Sequence, residues 1–324
     1  MTHIQVTYLV FGIVLLLSII FDFGLFSKKN KAVSIKMAFW QSMFWIGISL
    51  AFFAFVWFED GHDPAIKYLT AYVMEKSLSI DNVFVFILIF SFFKVSEFEA
   101  GRALLIGILL AIVFRIIFIA LGIELINRFH WLLYIFGAFL LYTGIKLFFQ
   151  KDEEEFDPAE SKIYKFVHKI FPVTYNYPAG KYFVKQNNKT HITALTLVVI
   201  MLAATDVVFA VDSIPTVVSL VREDPKIPFS QTDIMVIYSS NIFAVLGLRA
   251  LFFLLKGAVS KFDYLQQGIA FVLAFIGIKM LLEIFHIKIP IYISLVVILV
   301  CLVASILYSI YAARKGVPED EHDA

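Results

Sequence analysis

The chain has 324 residues, 60% of them hydrophobic and 17% aromatic, and only 16% are charged, against about 25% in an average soluble protein. Its 27 basic and 26 acidic residues nearly cancel, and Cys301 is its one cysteine. These figures exclude a water-soluble domain, a disordered chain, a secreted disulfide scaffold and a nucleic-acid binder, and leave a polytopic membrane protein.

Nine apolar runs bounded by charges or turn residues predict an all-α membrane bundle of nine spans. In chain order they are 5–26, 37–58, 68–93, 103–123, 131–149, 192–221, 234–255, 264–285 and 290–313. The first reads as a retained helix, because no basic stretch precedes it and Lys28, Lys29 and Lys31 follow it. With the N-terminus outside, the inner segments hold seventeen Lys and Arg, seven of them between Lys151 and Lys189. The outer segments hold Lys67, Arg128, Arg222, Lys226 and Lys288. The positive-inside bias therefore predicts the N-terminus out and the C-terminus in.

The inner segment 150–191 opens with the acidic run KDEEEFD, which reads as a solvated tether, as does the tail PEDEHDA. In SKIYKFVHKIF, residues Ile163, Phe166, Val167 and Ile170 share one helical face and Lys162, Lys165 and Lys169 lie elsewhere, which predicts a short interfacial helix. The stretch YFVKQNNKTHI alternates around Asn187 and Asn188 as a hairpin would.

Spans 3 to 5 and 6 to 8 resemble each other at a nearly constant offset. Glu75 and Asp81 of span 3 match Asp206 and Asp212 of span 6 at 131 residues, Arg115 matches Arg249 at 134, and Lys146 matches Lys279 at 133. On the predicted topology the matching spans run in opposite directions, an inverted 3+3 repeat of the kind that places transporter substrate sites near the bilayer midplane. The single transmembrane domain, 1–324, then divides into peripheral spans in 1–58, a first repeat in 68–149, the loop 150–191, a second repeat in 192–285 and the last span with its tail in 290–324.

Charged groups inside lipid are costly, so each is a functional-site candidate. Two acids six residues apart differ in depth by about 9 Å, and crosswise pairing of Asp81 with Asp206 and of Glu75 with Asp212 gives two carboxylate layers. Asn82, Ser213 and Asn241 add oxygens, as do Ser79 and Thr205. An all-oxygen site suits Mn²⁺, Mg²⁺ or Ca²⁺, and no histidine stands in mid-span for a softer metal. Pro215 removes a backbone bond and predicts a break near Asp212. The same residues also admit a purely structural reading: with Asp22, five acids face Lys76, Arg115, Lys146, Arg249 and Lys279, a neutral set of buried ion pairs. Arg115 and Arg249 are expected to orient the acids, the alternative being direct contact with the substrate. Lys146 and Lys279, near their span ends, could instead snorkel to the interface, and Gly144 and Gly277 are expected to let helices pack closely rather than touch a substrate. Asn241 is either a ligand or a helix-to-helix hydrogen bond.

The blocks EKSLSIDNVFVF, FAVDSIPTV, SSNIFAVLGLRALFFLL and FIGIKML resemble the TerC family of integral membrane proteins, most closely its Alx-type members, over nearly the whole chain. The resemblance implies a bacterial inner-membrane protein that exports Mn²⁺ as its transported substrate, with Glu75, Asp81, Asp206 and Asp212 as the matching acids. The expected partners are membrane lipid and a divalent metal ion, with no nucleic acid, no organic cofactor and no enzymatic activity. No Walker-type GKT or GKS loop is present for ATP, so ion exchange would drive transport. The competing expectation is a membrane scaffold, or a metal-homeostasis or tellurium-resistance component, that docks a protein partner through the 150–191 loop.

Overall fold

A computed structural model describes residues 2–27, 34–129, 131–149, 162–175, 180–186, 189–222, 227–256, 264–285, 287 and 289–315. The acidic run 152–157 and the C-terminal tail lie outside these residues. The described elements are almost all helical: α1 (His3–Ser27), α2 (Ile35–Glu59), α3 (His62–Phe92), α4 (Glu97–Arg128), α5 (Leu132–Phe149), α6 (Lys162–Ile170), α7 (Ala194–Val221), α8 (Gln231–Val245), α9 (Leu248–Lys256), α10 (Leu265–Leu282) and α11 (Ile291–Lys315). Among the described residues seven helical stretches are long and apolar enough to cross a membrane, with α8 and α9 counted as one. Of the other two expected spans, α3 is long but carries Asp63, Lys67, Glu75, Lys76 and Asp81, and the apolar part of α10 is shorter, Gln267–Leu282.

Helix starts follow local chemistry. Ser34, Ser96, Thr193 and Ser230 each stand at an N-cap and accept a backbone N–H from the first turn of α2, α4, α7 and α8, and Ser230 forms a reciprocal capping box with Asp233. α7 stays helical through Pro215, so the expected break near Asp212 is not there. The residues around and after the proline, Ile214, Thr216, Val217 and Val218, are buried, and membrane helices tolerate a missing backbone bond where neighbours pack against them. The interruption comes instead at Leu246 and Gly247, between α8 and α9.

Three helix pairs make the closest contacts in the bundle. Along α4 and α7, a Cβ on Gly107 would meet Leu202, Arg115 meets Asp206, and a Cβ on Gly122 would meet Ile214, so these helices run parallel. α3 runs parallel to α8 by the same kind of ladder, Lys67 with Asp233 and Glu75 with Asn241. α5 and α10 cross antiparallel at glycines: a Cβ on Gly144 would sit 2.6 Å from the Ala274 nitrogen and 2.7 Å from the Ala270 oxygen. One on Gly277 would sit 2.5 Å from the Leu141 nitrogen and 2.7 Å from the Gly137 oxygen. The close packing expected of both glycines is therefore present.

Outside the bundle, β1 (Val173–Thr174) pairs parallel to β3 (Lys189–Thr193), and β3 pairs antiparallel to β2 (Phe183–Gln186). Gln186 faces Lys189 in the register of the expected hairpin. Glu99 on α4 accepts the Gly180 N–H at 3.0 Å and ties this small sheet to the bundle.

Candidate functional site: an arginine between two buried carboxylates

Arg115 sits on the buried face of α4 among Ala111, Ile112 and Ile119, and none of its surface reaches solvent. Its guanidinium makes the parallel two-bond pairing with Asp206 of α7, Nε to Oδ2 and Nη2 to Oδ1, each at 2.9 Å. Nη1 donates to Glu75 of α3 and, at 2.6 Å, to the Asn241 carbonyl oxygen of α8. The Asn241 amide nitrogen donates back to the second Glu75 oxygen at 3.3 Å. Four of the five guanidinium N–H donors are thus used on three neighbouring helices. Glu75, Arg115, Asp206 and Asn241 are all buried.

A charge in this position is tolerated only when paired and fully hydrogen-bonded. Two carboxylates against one guanidinium leave a net negative charge if both acids are ionised. The cluster therefore suits a cation, and at present an internal one occupies it. Beside Asp206 lies a cavity of about 10 Å³ bounded by Phe86, Gly107, Ala111, Leu202 and Leu248, room for about one water. Among the described residues no group of three or more His, Cys, Asp or Glu side chains could hold a metal ion. Glu75, Asp206 and Asn241 offer carboxylate and amide oxygens that would suit a hard ion once the guanidinium moved away.

The structure corrects the crosswise pairing. Glu75 meets Asp206, its own counterpart at offset 131, on one arginine and at one level. Asp81 and Asp212 lie six residues further along α3 and α7, about 9 Å of rise toward opposite ends. Their side chains lie outside the described residues. Asn82 and Ser213, the next residues, are buried. The Ser213 and Ser79 hydroxyls have no hydrogen-bond partner among the described residues. Asn241 turns out to serve as an interhelical bridge, while Ser239 and Ser240 beside it bond back to carbonyls of their own helix.

The remaining charges separate by environment. Arg249 pairs with Asp22 on α1. Lys146 is exposed on α5, as a snorkelling lysine would be. Lys279 is not: it is buried and donates to Ser294 of α11 at 3.2 Å, because α11 covers the face that would otherwise lead it outward. Lys76, expected from the sequence only as one of the bases in a neutral set of buried ion pairs, donates its Nζ to the Ala244 carbonyl at 3.1 Å. Ala244 is in the last turn of α8, where the interruption removes a helical donor, and an ammonium there replaces it. A Cβ on Gly247 would lie 2.9 Å from that Nζ and 3.1 Å from Trp45, so the glycine at the break leaves room for the lysine. The only signal in the sequence was that glycine inside an apolar run.

A family profile described as "Integral membrane protein TerC family" matches residues 60–316. An uncharacterized membrane protein of Myxococcus xanthus is 39% identical over 303 residues, 94% of this chain and 91% of its own. One from Rickettsia bellii is 39% identical over 311 residues, covering 96% and 98%. A protein of Salmonella typhi named as the membrane-bound redox modulator Alx is 40% identical over 297 residues, covering 89% and 88%. No solved structure matches.

Proposed function

The chain belongs to the TerC family of integral membrane proteins, and from that premise we propose that it is a secondary transporter exporting a hard divalent cation, Mn²⁺ foremost, through its paired intramembrane carboxylates. The observation that carries this reading is the meeting of Glu75 and Asp206, 131 residues apart, in a buried cluster closed by a single guanidinium. Arg115 acts as the counter-ion of the cargo-free state. A dication that displaces it gains two carboxylates and the Asn241 oxygen, and when the cation leaves, the guanidinium returns. Release of protons from carboxyl groups on metal entry would couple the flux to a proton gradient.

We place the chain in the membrane as nine spans, N-terminus out, with α3 to α5 and α7 to α10 as inverted repeats. The helix packing supports this. A two-fold axis in the membrane plane turns the α3–α8 contact into the α7–α4 contact, and both are parallel pairs. It also maps α5 on α10, which cross antiparallel, and there Gly144 meets Ala270 and Ala274 while Gly277 meets Gly137 and Leu141, the same contact shifted by 133 residues. Ser79 and Ser213 continue the buried polar path to either side of the centre.

The name of the Salmonella relative suggests redox work. With one cysteine in the chain, an internal dithiol–disulfide couple is unavailable, and transport of a redox-active metal is one route to such an effect. Flux of Mn²⁺, Mg²⁺ and Ca²⁺ into proteoliposomes, read with a metal-sensitive dye, tests the proposal. The wild type is expected to carry Mn²⁺, and Glu75→Gln and Asp206→Asn are expected to abolish the flux while still eluting as folded protein. A wild type that moves no divalent ion overturns it.

A further inference from the structure

The short helix α6 and the sheet beside it carry a charge pattern that the transport reading leaves unused. Between Lys162 and Thr193 there are six lysines and no acid. On a helix of 3.6 residues per turn, Lys162, Lys165 and Lys169 fall within about 60° of one another, opposite Val167. Val167 is buried, and α6 packs against α7. The Tyr164 ring stands 6.4 Å from Phe92 and 6.1 Å from Phe93, at the end of α3. α6 is therefore held across the level at which the long helices of the bundle stop.

The described apolar side chains on its other flank, and the next residue along, are about half open. Phe166 is 65% exposed, Ile170 52% and Phe171 46%. Phe166 and Ile170 lie on the helix between the anchored Val167 and the lysine row, and Lys165 and Lys169 are themselves exposed. A helix fixed at the level of the span ends, with an open apolar flank and an unbroken basic edge, has the form of an element that rests in the headgroup layer.

We propose that α6 is a docking element for the anionic phospholipids of the leaflet that it faces, with Phe166, Ile170 and Phe171 entering the acyl boundary and Lys165 and Lys169 holding the phosphates. Two features select this occupant over a protein partner: the seating of α6 at the end of α3, against Phe92 and Phe93, and the absence of acids from residues 162–193. A basic helix at such a surface gains from each phosphate that it neutralises.

The full-length protein with Cys301→Ser has no other cysteine, so Phe166→Cys can carry a spin label at an exposed position. In nanodiscs of phosphatidylglycerol the label is expected to collide with oxygen more than with a water-soluble nickel chelate. In phosphatidylcholine it is expected to shift toward water. Lys165→Gln and Lys169→Gln should each reduce the immersed population in phosphatidylglycerol by about fivefold, and should lower the number of phosphatidylglycerol molecules retained in native mass spectra. A label equally immersed in both lipids would show apolar seating without headgroup recognition and overturn the proposal. So would one that stays in water in both, which would leave the face to a protein partner. Neither readout depends on metal flux, so it stands or falls apart from the transport reading.

Discussion

Arg115 and Arg249 occupy matching places in two stretches of similar sequence, yet they answer to different partners. Arg115 is enclosed by Glu75, Asp206 and Asn241, all from helices within the family match. Arg249, also buried, pairs with Asp22 on α1, a helix that precedes the matched residues 60–316. Where two equivalent acids meet, there is room for one guanidinium between them, so one arginine takes the centre and the other must find its counter-charge elsewhere. If the two stretches are inverted repeats, as proposed, the bundle breaks that symmetry at the point where its charges converge.

The sharpest way to break the comparison is to remove each arginine in turn. Arg115→Leu strands two buried carboxylates and is expected to cost about 3–5 kcal/mol, the usual penalty for opening a buried pair from one side. Arg115→Lys keeps the charge but loses the two-bond fork to Asp206, and should recover part of that loss. Thermal unfolding in detergent measures both. Equal losses for Arg115→Leu and Arg249→Leu would mean that the two arginines do equivalent structural work and that the contrast is only geometric.

Much of this was legible from the chain. The apolar runs match the helices to within six residues at each end, with 234–255 divided between α8 and α9, because burial in lipid leaves little choice but helix. The offset of 131 marked Glu75 and Asp206 as matching positions, and both meet on Arg115. The crosswise pairing erred by treating depth along each helix as known, when sequence fixes spacing and leaves the level of crossing open. Pro215 misled for a related reason: a proline forbids one hydrogen bond, but whether the helix bends depends on its neighbours. Gly247 marked the true interruption, and Lys76, which caps it, could be assigned only once α3 and α8 were seen side by side. Asp22 stood outside every repeat and motif, so nothing in the pattern tied it to Arg249.

The glycines of α5 and α10 sharpen the comparison from the opposite side, for there the halves agree. Added Cβ atoms at Gly144 or Gly277 would strike backbone atoms of the facing helix at 2.5–2.7 Å, and backbone cannot rotate away. Gly144→Ala and Gly277→Ala should each lower stability by about 1–3 kcal/mol, a typical cost of overpacking, and by similar amounts. Gly12→Ala and Gly47→Ala serve as controls: nothing lies within 4 Å of either added atom, so they should be neutral or stabilising by up to about 1 kcal/mol through helix propensity. A large difference between the two α5–α10 variants would count against the two-fold relation.

The smallest effect belongs to Asp22. Its pair with Arg249 joins an outer helix to the second of the matching segments, and Asp22 keeps 15% of its side chain exposed where Arg249 keeps 5%. Asp22→Asn leaves a polar group that can still accept from the guanidinium, so the expected loss is about 1–2 kcal/mol, in the range of charge-assisted and interhelical bonds. A double-mutant cycle with Arg249→Leu isolates the coupling. If the two halves exchange roles during transport, Asp22 is the group that keeps Arg249 away from Glu75 and Asp206 in this state. Asp22→Asn should then destabilise the protein while metal flux persists. Abolition of flux by Asp22→Asn would instead make α1 part of the transport path, and the contrast between a central and a peripheral arginine would no longer hold.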